Sequence, residues 1–229
     1  MATAVCVPAA QSARPSPTRT ISFSGHTWTV KSSAGKVGPG PNSFSSSPDN
    51  VWVDGQGRLH LKITRTKGRW YCAEVVNTQS LGLGTYTWTL DSPVDALDPN
   101  VVLGLFTWND DPAYHHRELD VEFARWGNAA DPTNGQYVVQ PYDGSGNLLR
   151  ITQPLGAVPS SHGFTWGATS VRFTSSSASP SPWIYAGADV PAPGGENARM
   201  NLWLFRGAGP VNGQPVEVVI GSFTFTPAQ

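Results

Sequence analysis

A chain of 229 residues with 15 Lys plus Arg, 16 Asp plus Glu and a net charge of −1 has no basic stripe and no acidic block, which argues against nucleic acid or an anionic membrane surface as a partner. No apolar run approaches the roughly 18 residues of a membrane span, so a membrane partner is not expected. The 24 Gly, 20 Pro and 9 Trp call for many turns and many half-exposed aromatics, in one all-β domain or at most two small ones.

Residues 1–20 are rich in Ala, Pro, Ser and Thr and read as a disordered or loosely attached tail, leaving 21–229 as one domain. The opening MATAVCVPAAQSA resembles the end of a secretory signal, although it has no basic region and Pro8 interrupts it. An extracellular protein is the expectation. Cys72 is expected to be a buried free thiol rather than the partner of Cys6 in the tail.

Beyond the tail, short runs alternate apolar and polar residues. They are HTWTV (26–30), RLHLKIT (58–64), GTYTWTL (84–90), VVLGLFTW (101–108) and ELDVEF (118–123). QYVVQ (136–140), SVRFT (170–174), ARMNLWLF (198–205) and VEVVIGSFTF (216–225) continue the series. Turn residues separate them, as in DGQG (54–57) and DGSGN (143–147), and SSSASPSP (175–182) reads as a loop. No stretch keeps a 3.6-residue period over three turns. About a dozen such strands predict an antiparallel sandwich or jelly roll.

HHRELDVEF (115–123) carries the chemistry. In a strand, residues two apart share a face, so Glu118, Asp120 and Glu122 point one way and Leu119, Val121 and Phe123 the other. The apolar set belongs in the core, because the opposite register would bury three charges. Like charges this close repel, and Arg117 and Arg125 should point away or lie at the strand ends. Three readings are open. A solvated polar face leaves the crowding unexplained. A hard-cation site using the adjacent His115 and His116 would need a cage, and one strand offers a row. Retaining glycoside hydrolysis needs two carboxyls about 5–5.5 Å apart, one as nucleophile and one as acid/base. The Cα atoms of Glu118 and Glu122 would stand about 13 Å apart at ~3.3 Å per residue, and two long side chains leaning inward close much of that gap. Asp120 would hold the nucleophile and help keep one proton in the set. Chain physics alone does not say which Glu takes which part.

A polysaccharide site also needs flat aromatic faces. Phe106 and Trp108 share a face, as do Asn201 and Trp203, whereas Trp28, Trp88 and Trp166 read as core. At this point ELDVEF resembles the Glu-x-Asp-x-Glu strand of glycoside hydrolase family sixteen, in the form found in bacterial lichenases and xyloglucan transglycosylases. DNVWVDGQGRLHLKI (49–63), YCAEVVNTQSLGLGTYTW (71–88), HGFTW (162–166) and MNLW (200–203) follow the lichenase order, and the resemblance spans residues 21 to 226. It implies a concanavalin-like jelly roll of two curved antiparallel sheets with an open concave cleft. It implies Glu118 as nucleophile, Asp120 as its assistant and Glu122 as acid/base, acting on a β-glucan without a cofactor. It places Asn50, Glu74, Phe106, Trp108, Gln140, Asn201 and Trp203 along the sugar subsites.

The chain also departs from the family. Val76 stands where lichenases carry an Arg two residues after the cleft Glu. The second Cys of the lichenase disulfide would fall near Phe44, and a calcium-holding Asp is replaced around Gly221, so neither a disulfide nor calcium is assumed. A monomeric endo-β-glucanase is the leading expectation. A glycan-binding protein without turnover and a transglycosylase are the alternatives.

Overall fold

The computed structural model describes residues 18–229. The expectations for Cys6 and the signal-like stretch fall outside them. The strands are β1 (Thr20–Phe23), β2 (His26–Val30), β3 (Val51–Val53), β4 (Leu59–Thr66), β5 (Arg69–Tyr71) and β6 (Ala73–Ser80). Next come β7 (Gly84–Leu90), β8 (Val101–Trp108), β9 (Leu119–Phe123), β10 (Gly135–Val139) and β11 (Leu148–Ile151). β12 (Ser160–Trp166), β13 (Val171–Ser175), β14 (Trp183–Tyr185), β15 (Asn197–Leu204) and β16 (Val216–Pro227) complete the chain.

Each alternating run of the sequence is one of these strands. The strands that alternation does not pick out are short, like β3, β5 and β14, or do not alternate cleanly, like β6, which buries Glu74 beside Ala73 and Val75. β1 begins at Thr20, the last residue assigned by composition to the tail; the backbone oxygen of Arg19 already accepts from Val30 N.

The strands form two antiparallel sheets. One has the order β1-β2-β6-β15-β8-β9-β10-β11, the other β14-β13-β12-β7-β16-β4-β3, with β5 beside β4. This is the jelly-roll sandwich expected from the pattern. Its core lies between the sheets. Tyr86, Trp88 and Leu90 of β7 point inward, and Trp28, Trp88 and Trp166 are fully buried. Each such side chain contributes roughly 1.5–3 kcal/mol. Leu119, Val121 and Phe123 enter the same core, which directs Glu118, Asp120 and Glu122 to the opposite face of the sheet.

Two reactive-looking groups belong to this interior. Cys72 is a buried free thiol that burial pushes up to about 12, and Phe44 pairs with it where a disulfide partner would stand. His162 lies between the Ser160 and Ser175 hydroxyls, edge-on to Phe123, and burial pushes it down to about 3. Neither group takes part in the cleft.

Candidate active site

The outer face of the first sheet is the floor of a cleft of about 1230 Å³. Antiparallel pairing sets one residue from each of six strands in a row across it: Glu74 (β6), Asn201 (β15), Gly104 (β8), Glu122 (β9), Gln136 (β10) and Arg150 (β11). The adjacent row on this face runs Val76, Arg199, Phe106, Asp120, Val138, Leu148. Strands stand about 4.8 Å apart, so a polar belt crosses the sheet at right angles to the chain. Gly104 is required within it. A Cβ there would lie 2.5 Å from Asn201 Oδ1.

The three carboxylates sit at the centre of this floor. Asp120 is 3% exposed, and Glu118 and Glu122 are half-buried. Burial, followed by the charges of its two neighbours, holds Asp120 well above the usual carboxylate range. This favours its protonated form, and the interaction between its carboxyl and that of Glu118 raises Asp120 and lowers Glu118. Burial and the charge of Glu122 raise Glu118 to about 8, while the bond from Asp120 and the nearby Arg199 favour its ionised form. Burial raises Glu122 to about 7 against the opposing pull of Gln136 and Arg150. Gln136 Nε2 donates to Glu122 Oε2 at 2.7 Å, and Gln140 Nε2 donates to Asp120 Oδ2 at 3.1 Å. The trio is thus a proton-holding set with each member oriented by a neighbour.

Glu74, Phe106, Trp108, Gln140, Asn201 and Trp203 all line the cleft with the trio. Asn50 does not. It is 2% exposed, and its Nδ2 bonds Lys62 O, Thr64 Oγ1 and Tyr71 O, tying β3 to β4 and β5. The assignment of Asn50 to a sugar subsite is corrected accordingly: its amide nitrogen is fully engaged by neighbouring strands.

Several cleft residues carry no signal in the alternation. Lys31 Nζ pairs with Glu74 Oε2 at 2.8 Å, and Arg199 Nη1 stands 3.7 Å from Glu74 Oε1. Arg199 is the register partner of Val76, so a guanidinium enters the cleft from β15 beside Val76 of β6. Trp126 follows β9 in a loop and packs against Trp203 and Phe205 at one wall. His116 is stacked on Trp108, with centroids 4.0 Å apart and planes 7° from parallel. Such contacts arise from pairing and loop closure between distant segments, which strand periodicity does not encode.

Trp126 Nε1, Arg199 Nε and Asn201 Oδ1 are buried polar atoms of the cleft without a hydrogen-bond partner among the described residues. Buried polar atoms are rarely left so, and these three share one cavity. Among the described residues no three His, Cys, Asp or Glu side chains are grouped to hold a metal ion.

No protein-family model and no curated protein sequence matches the chain. Its fold is similar to solved β-glucanase structures. The Bacillus licheniformis β-glucanase superimposes with a TM-score of 0.66 at 16% identity, covering 88% of this chain and 92% of that one. An immunostimulatory antigen and pseudo β-1,3-glucanase of Mycobacterium tuberculosis gives 0.65 at 20% identity, covering 88% and 91%. A prokaryotic β-1,3-1,4-glucanase (lichenase) from a mouse hindgut metagenome gives 0.64 at 17% identity, covering 88% and 93%.

Proposed function

We propose that the protein is an endo-acting glycoside hydrolase that cleaves a β-glucan with retention of configuration. The observation that carries this reading is the carboxyl trio at the centre of a cleft whose polar belt runs from Glu74 to Gln136 across five strands. Three crowded carboxyls that hold protons suit acid–base chemistry more directly than glycan binding alone. A general acid needs that proton near neutral pH.

In the first step Glu118 attacks the anomeric carbon as Glu122 donates its proton to the glycosidic oxygen. The C–O bond breaks, the leaving sugar departs as an alcohol, and a glycosyl–Glu118 ester remains. In the second step Glu122, now a carboxylate, takes a proton from water. The water oxygen attacks the same carbon and Glu118 is released. Asp120 hydrogen-bonds Glu118 throughout and disperses the charge that returns to it. Two inversions leave the configuration unchanged.

The rest of the cleft supports a neutral, hydroxyl-rich polymer. Phe106, Trp108, Trp126 and Trp203 offer faces for sugar C–H groups. The volume exceeds the roughly 300–1,000 Å³ of pockets for small ligands, in keeping with several sugar units. Two of the solved structures that share the fold carry β-glucanase and lichenase names, which favours β-1,3-1,4- or β-1,3-linked glucans, and a third is named a pseudo β-1,3-glucanase. A polymer of that size is met outside the cell, so the reading includes an extracellular location.

Reducing-sugar release from mixed-linkage glucan, lichenan, laminarin, xyloglucan and carboxymethyl-cellulose tests it. Release from one of these, abolished in Glu118→Gln, is the expected outcome. Binding without release from any of them would replace the hydrolase with a glycan-binding protein.

A further inference from the structure

Arg150 stands outside the cleft lining, two strands from Glu122 in the same cross-sheet row. Its guanidinium is held from several sides. Nε donates to Thr133 Oγ1 at 2.8 Å and Nη2 to Asp131 Oδ2 at 3.0 Å. Nη2 also reaches the carbonyls of Ala124 at 3.2 Å and Thr133 at 3.4 Å. Asp131 is fixed in turn, its Oδ1 accepting from Thr133 N at 2.9 Å and Oγ1 at 2.6 Å. The remaining nitrogen, Nη1, donates to Gln136 Oε1 at 3.0 Å.

The polarity of this chain follows from the donor inventory. A guanidinium only donates, so Gln136 must turn its oxygen to Arg150 and its NH2 to Glu122. An amide NH2 also only donates, so Glu122 Oε2 must be an acceptor in the 2.7 Å bond. A proton on Glu122 is then favoured on Oε1, since a carboxyl accepts better through its carbonyl oxygen than through its hydroxyl. We infer that Arg150 is a positioning residue which, through Gln136, directs the catalytic proton of Glu122 toward Oε1, the oxygen with no protein hydrogen bond among the described residues. The inference rests on Glu122 being the acid/base.

The other charged groups around Glu122 do not set this polarity. Glu118 and Asp120 lie on its own strand, Arg199 acts on Glu118 from β15, and β8 presents Gly104 opposite it. Asp131 faces Arg150. Burial alone would raise its carboxyl, but the bonds from Thr133 and Arg150 outweigh that and hold it low, so it stays an acceptor.

Without Arg150 the Gln136 amide can flip. Its oxygen would then face Glu122 and bind only a protonated Oε2, which moves the proton to the wrong oxygen and tightens its hold. Arg150→Met tests this. The Glu122 carboxyl, followed by 13C NMR and assigned with Glu122→Gln, is expected to titrate about one pH unit higher. On β-glucan kcat/KM should fall about tenfold or more, because proton donation to the leaving group is impaired. On a 2,4-dinitrophenyl β-glycoside, whose leaving group needs no proton, it should change less than about twofold. An unmoved Glu122 titration, or equal losses on both substrates, would overturn the inference, since a merely structural arginine would produce those results. If Arg150→Met does not fold, Asp131→Asn loosens the same guanidinium and should shift both readouts the same way by less. A wild-type protein that releases no sugar would remove the proposed function; Gln136 side-chain NH2 protons that keep their hydrogen-bonded shifts in Arg150→Met would independently overturn the inference.

Discussion

Two carboxylate clusters lie on opposite sheets of this sandwich and behave in opposite ways. On the second sheet, His60 sits between Glu217 Oε1 at 2.8 Å and Asp54 Oδ2 at 3.1 Å, stacked on Trp52. Arg58 bonds Asp54 at 2.7 Å and Lys62 bonds Glu217 at 2.9 Å. Burial alone would raise both carboxyls, yet these bonds outweigh it and hold Asp54 and Glu217 below their ordinary values. On the first sheet, Glu118, Asp120 and Glu122 are all raised. The cations nearby are engaged elsewhere. Lys31 pairs with Glu74, and Arg150 with Asp131. The comparison teaches that crowding alone does not make a carboxylate reactive. A cation within hydrogen-bond reach makes the cluster structural, and its absence leaves protons to be moved.

The largest expected effect breaks the cleft cluster alone. Glu118→Gln should reduce glucan hydrolysis by about 10³-fold or more. Asp54→Asn on the other sheet should leave kcat/KM within about twofold. Wild-type kcat/KM should follow a narrow bell between about pH 7 and 8 with a low maximum, because Glu118 holds its proton more tightly than Glu122 and the productive arrangement, Glu118 ionised and Glu122 protonated, is the minor of the two singly protonated forms. A broad profile extending unchanged to pH 5 would contradict the raised values.

The next effect separates the two faces of β9. Phe123 is fully buried, and Phe123→Ala should cost about 3–5 kcal/mol in urea denaturation. Glu122→Gln, one residue away on the cleft face, should abolish most activity and leave stability at pH 8 unchanged or higher. Asn50→Ala sharpens the correction made above. Losing three hydrogen bonds from a buried amide should cost about 1–3 kcal/mol, with kcat/KM unaltered.

The smallest effect is the pH dependence of stability, and it has opposite signs at the two clusters. Asp54 and Glu217 bind protons less tightly folded than unfolded. Their stabilisation is present above the ordinary carboxylate range and is lost as pH falls through their depressed values. Glu122 binds its proton more tightly folded, so stability declines as pH rises from its ordinary 4.5 through about 7. Melting temperatures measured from about pH 2 to 9 should show Asp54→Asn flattening the slope below about pH 4 and Glu122→Gln the slope between about pH 4.5 and 7. The same slope in both variants would show that the clusters do not differ as described.

The sequence by itself determined the strands that alternate, the direction of the carboxylate trio and the burial of Trp28, Trp88 and Trp166. These follow from a two-residue period and from the cost of burying charge, both of which are local. Phe106, Trp108, Asn201 and Trp203 were legible in the same way, because residues two apart on one strand share a face. Tertiary structure alone decided the rest. Asn50 looked free along the chain, but three segments converge on its amide. Arg199 stands beside Val76 only because β15 pairs with β6 across more than a hundred residues of sequence. Glu122, Gln136 and Arg150 stand in one row only because three strands pair in one register. Periodicity tells each side chain which face it occupies, and pairing between distant strands tells it which neighbours it meets there.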